Sequence, residues 1–179
     1  LTERYLDFKI AEDDIKGYKI PKSAVLSKDF LVVPEQYVIN SEEKGVGVYK
    51  EVIQSDGSAK AVFTKVSIYG KQGNSYYISA SGLTTEDYLI GASVEKSEDG
   101  TAETIITDPT NRRLIAVSAP LTGVYSVNRG YCIFRQIDIL SETSDHNYYI
   151  INTGTYYGLS AYDRIILNAG LVTENQIIY

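Results

Sequence analysis

GLTTEDYLI, at 82–90, and GLSAYDRII, at 158–166, share the frame Gly-Leu-x-x-x-Asp-x-[Leu/Ile]-Ile. The frame has a physical reading. Glycine opens the segment where a tight turn needs positive φ, and leucine plugs a core. Three polar-tolerant positions make the loop, and aspartate accepts backbone amides within it. The last residues start a strand. This is a structural motif, so Asp87 and Asp163 are assigned no chemistry.

The two copies are not isolated. GVY at 47–49 returns at 123–125, VFTKVSI at 62–68 matches IFRQIDI at 133–139, and YYI at 76–78 matches YYI at 148–150. The separations between matched strings differ by only a few residues, and the order is kept. Self-similarity at a long period marks a repeated supersecondary unit. A duplicated β-module of four or five strands is therefore expected.

Around these strings the pattern is period two, with little helical periodicity. Leu6, Phe8 and Ile10 alternate with Asp7 and Lys9 in LDFKI. Pro21 lacks the N–H that a central strand must donate, so it marks an edge or the entry to a strand. FLVVP, at 30–34, is a short buried strand ending at Pro34. Asp56-Gly57 is a hairpin signal, and GKQGNS, at 70–75, is another turn. AVFTKVSIYG reads as one strand, with Val62, Val66 and Ile68 on one face. The stretch 91–113 is charged and carries Gly100 and Pro109, and reads as a connection with no more than one strand.

The expected fold is all-β: two tandem related modules of short antiparallel strands, barrel- or sandwich-like, with little helix. The expected divisions are a strand at 1–20 leading out of a preceding barrel domain, a first β-module at 21–94, a connecting segment at 95–113, and a second β-module at 114–179.

Composition narrows the function. The 179-residue chain carries a net charge of −6 and is 44% apolar, enough for a core. No cluster of Lys and Arg is present to neutralise a phosphate backbone, so nucleic acid is not an expected partner. Cys132 is the single cysteine, which excludes an internal disulfide and a cysteine metal cage. Within YCIF it reads as a small buried hydrophobe. The chain lacks an initiator Met, a signal peptide and an apolar stretch near the ~20 residues of a membrane helix. It reads as a piece of a longer protein.

No catalytic, cofactor-binding or metal-ligating residue is assigned. His146 is the only histidine, in the polar loop SETSDHNYY. Ser141, Ser144, Asp145 and His146 are the residue types of a hydrolytic triad, but neighbours in one turn seldom converge as a triad must. The acidic residues at 95, 98, 99 and 103 match no calcium loop. Gly70, Gly73 and Asn74 lack the Lys-[Ser/Thr] ending and following helix of a phosphate loop. The carboxylate pairs Asp13-Asp14, Glu42-Glu43 and Glu98-Asp99 read as solvated loop charge.

Tyrosine is the outlier, at 16 copies. Adjacent residues of a strand point to opposite faces, so the pairs 76–77, 148–149 and 156–157 should each place one ring inside and one outside. Outward tyrosines serve ordinary sheet surfaces, protein contacts and sugar platforms.

GYKIPKSAV, at 17–25, resembles the stretch that follows the β-barrel in HlyD-like periplasmic adaptor, or membrane fusion, proteins, closest to those of Gram-positive bacteria. GVYSVNRGYCIFRQIDIL at 123–140, YYII at 148–151 and GLSAYDRIILNAGLVTENQII at 158–178 are similar to the rest of that C-terminal region. The resemblance implies a non-enzymatic extracytoplasmic adaptor subunit of an efflux or secretion transporter. The β-modules would dock on the membrane transporter, homo-oligomerisation is allowed, and an upstream segment would hold the protein to the membrane at a Gram-positive cell surface or in a periplasm. The family's lipoyl-like domain and α-helical hairpin are not in this chain, and no cofactor is implied. The alternative is an exported carbohydrate-binding or adhesion module using exposed tyrosines, which predicts an aromatic cluster on one face.

Overall fold

The computed structural model describes residues 15–98 and 102–178. LDFKI, Asp13-Asp14 and Asp99 lie outside the described residues. The chain is all-β. Its strands are β1 (Tyr18–Pro21), β2 (Val25–Pro34), β3 (Val38–Ser41), β4 (Gly45–Ile53), β5 (Ala59–Lys65), β6 (Ser67–Gln72) and β7 (Ser75–Ser79). They continue with β8 (Tyr88–Lys96), β9 (Glu103–Leu114), β10 (Ser118–Asn128), β11 (Tyr131–Gln136), β12 (Ile139–Glu142), β13 (Tyr148–Ile151) and β14 (Arg164–Ile165). Short 3-10 turns occupy Lys22–Ala24, Glu35–Tyr37 and Ala169–Leu171.

Among the described residues all pairings are antiparallel and make three sheets. Their orders are β1-β13-β12, β11-β10-β2-β7-β6 with β14 also on β10, and β3-β4-β8-β9 with β5 also on β4. Pro21 ends an edge strand, where its missing N–H costs no ladder bond. Gly57 and Gly73 take positive φ in the turns expected of them.

The repeat is present in the pairing register. Val48 faces Val38 as Val124 faces Val25, and Tyr49 faces Phe63 as Tyr125 faces Phe134. Lys50 faces Leu89 as Ser126 faces Ile165, and Ile68 faces Ile78 as Ile139 faces Ile151. One string match shifts. Ile78 corresponds to Ile151, so the YYI strings are one residue out of register. A one-residue slip exchanges the faces of a strand, and burial of the isoleucines decides the true alignment.

Two equivalent cores result. Val33, Tyr37, Val48, Val66, Ile78, Leu83 and Leu89 are buried together in the first module. Ile20, Ala24, Val124, Ile137, Ile151 and Leu159, with Ile165 packed against them, fill the second. AVFTKVSIYG is not one strand. It breaks at Val66, which turns into the core while β5 and β6 enter different sheets, and Ile137 does the same between β11 and β12.

The opening strands enter in reverse order. Ile20-Pro21-x-x-Ala24-Val25 is the structural counterpart of Val33-Pro34-x-x-Tyr37-Val38, each passing from strand through 3-10 turn to strand. The earlier copy belongs to the later module: β1 pairs with β13, and the first half of β2 with β10. The end of β2 pairs with β7 of the first module. Residues 18–31 are thus laid down with the second module, where the sequence places a strand leading out of another domain and the start of the first module. Strand β2 carries both modules. The segment 95–113, expected as a connection with no more than one strand, holds most of β9, a twelve-residue strand paired with β8.

Candidate functional site

The repeated motif behaves as its composition dictates. Gly82 has φ 83°, Leu83 and Leu159 are buried, and the Asp87 and Asp163 carboxylates accept the backbone N–H of Thr84 (2.7 Å) and Ser160 (2.9 Å). Gly158, unlike Gly82, does not need positive φ. The glycine of each GVY has another reason: a Cβ at Gly47 or Gly123 would run into the ring of Phe63 or Phe134 on the paired strand.

The nesting of the modules opens a cleft of about 720 Å³ between them. From the first module come Glu35, in the turn after Pro34, the edge strand β3, and Lys71 and Tyr76 of the β6–β7 hairpin. From the second come Gln136 at the end of β11, Asp138, and the turn 155–157. That turn is closed by the Gly158 N–H donating to the Thr155 carbonyl (3.0 Å), and the Gln136 N–H reaches the Tyr157 carbonyl (3.3 Å). The closure throws Tyr156 outward, 90% exposed.

Three tyrosines meet here. The Tyr156 and Tyr157 ring centroids are 4.9 Å apart, and those of Tyr157 and Tyr76 are 6.4 Å apart, both edge-to-face. Lys71 Nζ lies 5.2 Å from the Tyr76 ring centre and 2.8 Å from Glu35 Oε1. The Tyr76 hydroxyl donates to the same carboxylate at 3.3 Å. The hydrogen bond from Lys71 holds Glu35 below the usual carboxylate range, and Lys71 is raised in return. Burial, with Tyr76 and Tyr156 beside it, pushes the Tyr157 phenol up.

Gln136 is 6% exposed, and its side-chain amide hydrogen-bonds to none of the described residues. The arrangement offers ring surface, an amide and carboxylate oxygens in one concavity.

The tyrosine pairs divide. Tyr77 is buried and donates to Gln72 Oε1 (2.9 Å) while Tyr76 faces the cleft, as strand alternation requires. Tyr149 packs on the second core and Tyr148 lies under Lys19. The 156–157 pair sits in a turn, where the alternation argument does not apply.

The other sequence candidates are not brought together. His146 stands in a turn with φ 57°, paired with Glu142, and Asp145 is taken up by Thr143 and Asn147. Lys22 shares Glu142. Glu42 pairs with Lys96, and Glu103 accepts the Glu42 backbone N–H (2.8 Å). Among the described residues no three His, Cys, Asp or Glu side chains stand close enough to share a metal ion. Cys132 is fully buried, and burial raises its thiol pKa.

Sequence reasoning singled out the tyrosines but missed Glu35, Lys71, Gln136 and Asp138. Nothing local distinguishes these residues, because the cleft depends on how two distant hairpins face each other. Comparison with family models, with curated proteins and with solved structures gives no match to this chain.

Proposed function

We propose that the chain is the C-terminal β-region of an extracytoplasmic adaptor subunit, similar to HlyD-like membrane fusion proteins, and that its β-modules dock on a membrane efflux or secretion transporter. One observation carries the reading. The strings that resemble the family are spread from residue 17 to 178, yet Ile20, Ala24, Val124, Ile137, Ile151 and Leu159 from them fill one core. Motifs that are weak one by one become persuasive when they build a single folded unit.

The surface chemistry agrees with a protein partner. Val52, Val62 and Ile106 are exposed on one face of the sheet β5-β4-β8-β9 and offer apolar contact area. The acidic balance suits anionic lipid poorly, since that surface attracts clustered Lys and Arg.

The test is crosslinking of the protein in its native membrane, followed by identification of what is captured. A transporter subunit crosslinked through these β-modules is the expected result. Recovery of wall glycan alone, or of no membrane protein, would overturn the proposal.

A further inference from the structure

We infer that the cleft between the two modules is a binding site for a neutral oligosaccharide. This goes beyond the adaptor reading and stands on different observations.

The first is Gln136. It lines the cleft and is 6% exposed, and its amide has no hydrogen-bond partner among the described residues. The amide opens onto the solvent of the cleft, so its two donors and its acceptor are available to a ligand that enters. A sugar hydroxyl both donates and accepts, so it satisfies either end of the amide.

The second is the aromatic surface. Tyr156 remains 90% exposed although it is held against Tyr157 at 4.9 Å. Tyrosine is a rigid apolar plate with a polar tip. A pyranose presents the complement: C–H faces that stack on a ring, and a rim of hydroxyls for the tip and for Asp138 and Asn40 nearby. The volume lies within the usual range of about 300–1,000 Å³ for small-molecule sites.

Charge selects the class of sugar. Lys71 is the one cation lining the cleft among the described residues, and Glu35 neutralises it at 2.8 Å. Asp138 adds negative charge, so a sulfated or carboxylated glycan would be repelled. The competing ligand is a proline-rich peptide, which docks between aromatic ridges. Here the rings meet edge-on, at 85° and 78°, and form no parallel ridges.

The experiment is amide NMR titration of the 179-residue chain with chitotetraose, cellotetraose and maltotetraose, alongside a proline-rich decapeptide. At least one sugar is expected to shift the amides of 71–76 and 155–157 at millimolar concentration or below. Tyr156→Ala and Gln136→Met should each weaken that binding by roughly tenfold or more. Tyr156 is too exposed for its loss to unfold the chain. Tyr162→Ala, at a fully exposed tyrosine that does not line the cleft, should leave binding unchanged. No shifts with any of the three sugars, shifts confined to other surfaces, or binding of the peptide in the cleft would each overturn the inference.

Discussion

The two modules share one inner face and differ on the outside. Inside, Val48 and Val124, Val66 and Ile137, Ile78 and Ile151, and Leu83 and Leu159 hold equivalent places. Outside, the Tyr125–Phe134 pair is covered by Phe30, Cys132 and Ala169, and Phe30 stacks on Tyr69 with centroids 4.5 Å apart. The matching Tyr49–Phe63 pair has a thinner cover, with Lys44 Nζ 5.8 Å above Phe63. The motif aspartates differ too. Asp87 ion-pairs with Lys50 at 2.8 Å, whereas the place of Lys50 is taken by buried Ser126 in the second module. Closing a small β-module constrains its inner residues. What lies against its outer face is set by the neighbouring chain and is free to diverge.

The difference should be measurable. Phe134→Ala opens a fully packed site and should cost about 3–5 kcal/mol. Phe63→Ala, at a half-buried ring, should cost less than half as much. Equal losses in chemical denaturation would show that the outer covers are equivalent after all.

The inner equivalence predicts the reverse. Ile78→Ala and Ile151→Ala remove matching core side chains, and each should cost about 2–5 kcal/mol. Because β2 serves both modules, either variant should still unfold in a single urea transition followed by far-UV circular dichroism. A two-step transition, with one module surviving the other, would break the picture of a shared strand.

The aspartates give a smaller effect. Asp87→Asn loses the Lys50 pair and weakens the bond to the Thr84 amide, about 1–2 kcal/mol, and Asp163→Asn about half of that. Burial works to raise Asp87, but Lys50 and the Thr84 amide outweigh it and hold its pKa below the ordinary value. A depressed carboxylate contributes stability that is present above its unfolded pKa of about 4 and is lost as pH falls through the folded value. The gap between wild type and Asp87→Asn should therefore narrow as pH drops below about 4. A constant gap across that window would remove Asp87 from the account.

Glu42→Gln is the smallest change. Its partner Lys96 is in open solvent, and exposed pairs contribute little. The denaturation midpoint should not move.

The sequence by itself determined a good deal. Period-two patterning and turn residues declared the all-β class, since a strand facing a core on one side writes its alternation locally. The Gly-Leu-x-x-x-Asp frame declared the duplication and the roles of its leucine and aspartate, because its hydrogen bonds span only three positions, whereas the positive φ expected of its glycine is taken by Gly82 and not by Gly158.

Only the tertiary structure decided the rest. The YYI strings match by letter but sit one residue apart in register, and packing of Ile78 and Ile151 chose between the alignments. The counterpart of Val33-Pro34 is Ile20-Pro21, a few residues upstream and in the other module, because pairing with β13 and β7 assigns them. The cleft was least legible of all. Gln136 and Tyr76 are far apart in the chain and meet only because the modules share β2. Local sequence records the conformation of a segment, whereas the surface made between segments is fixed by long-range burial that no short string contains.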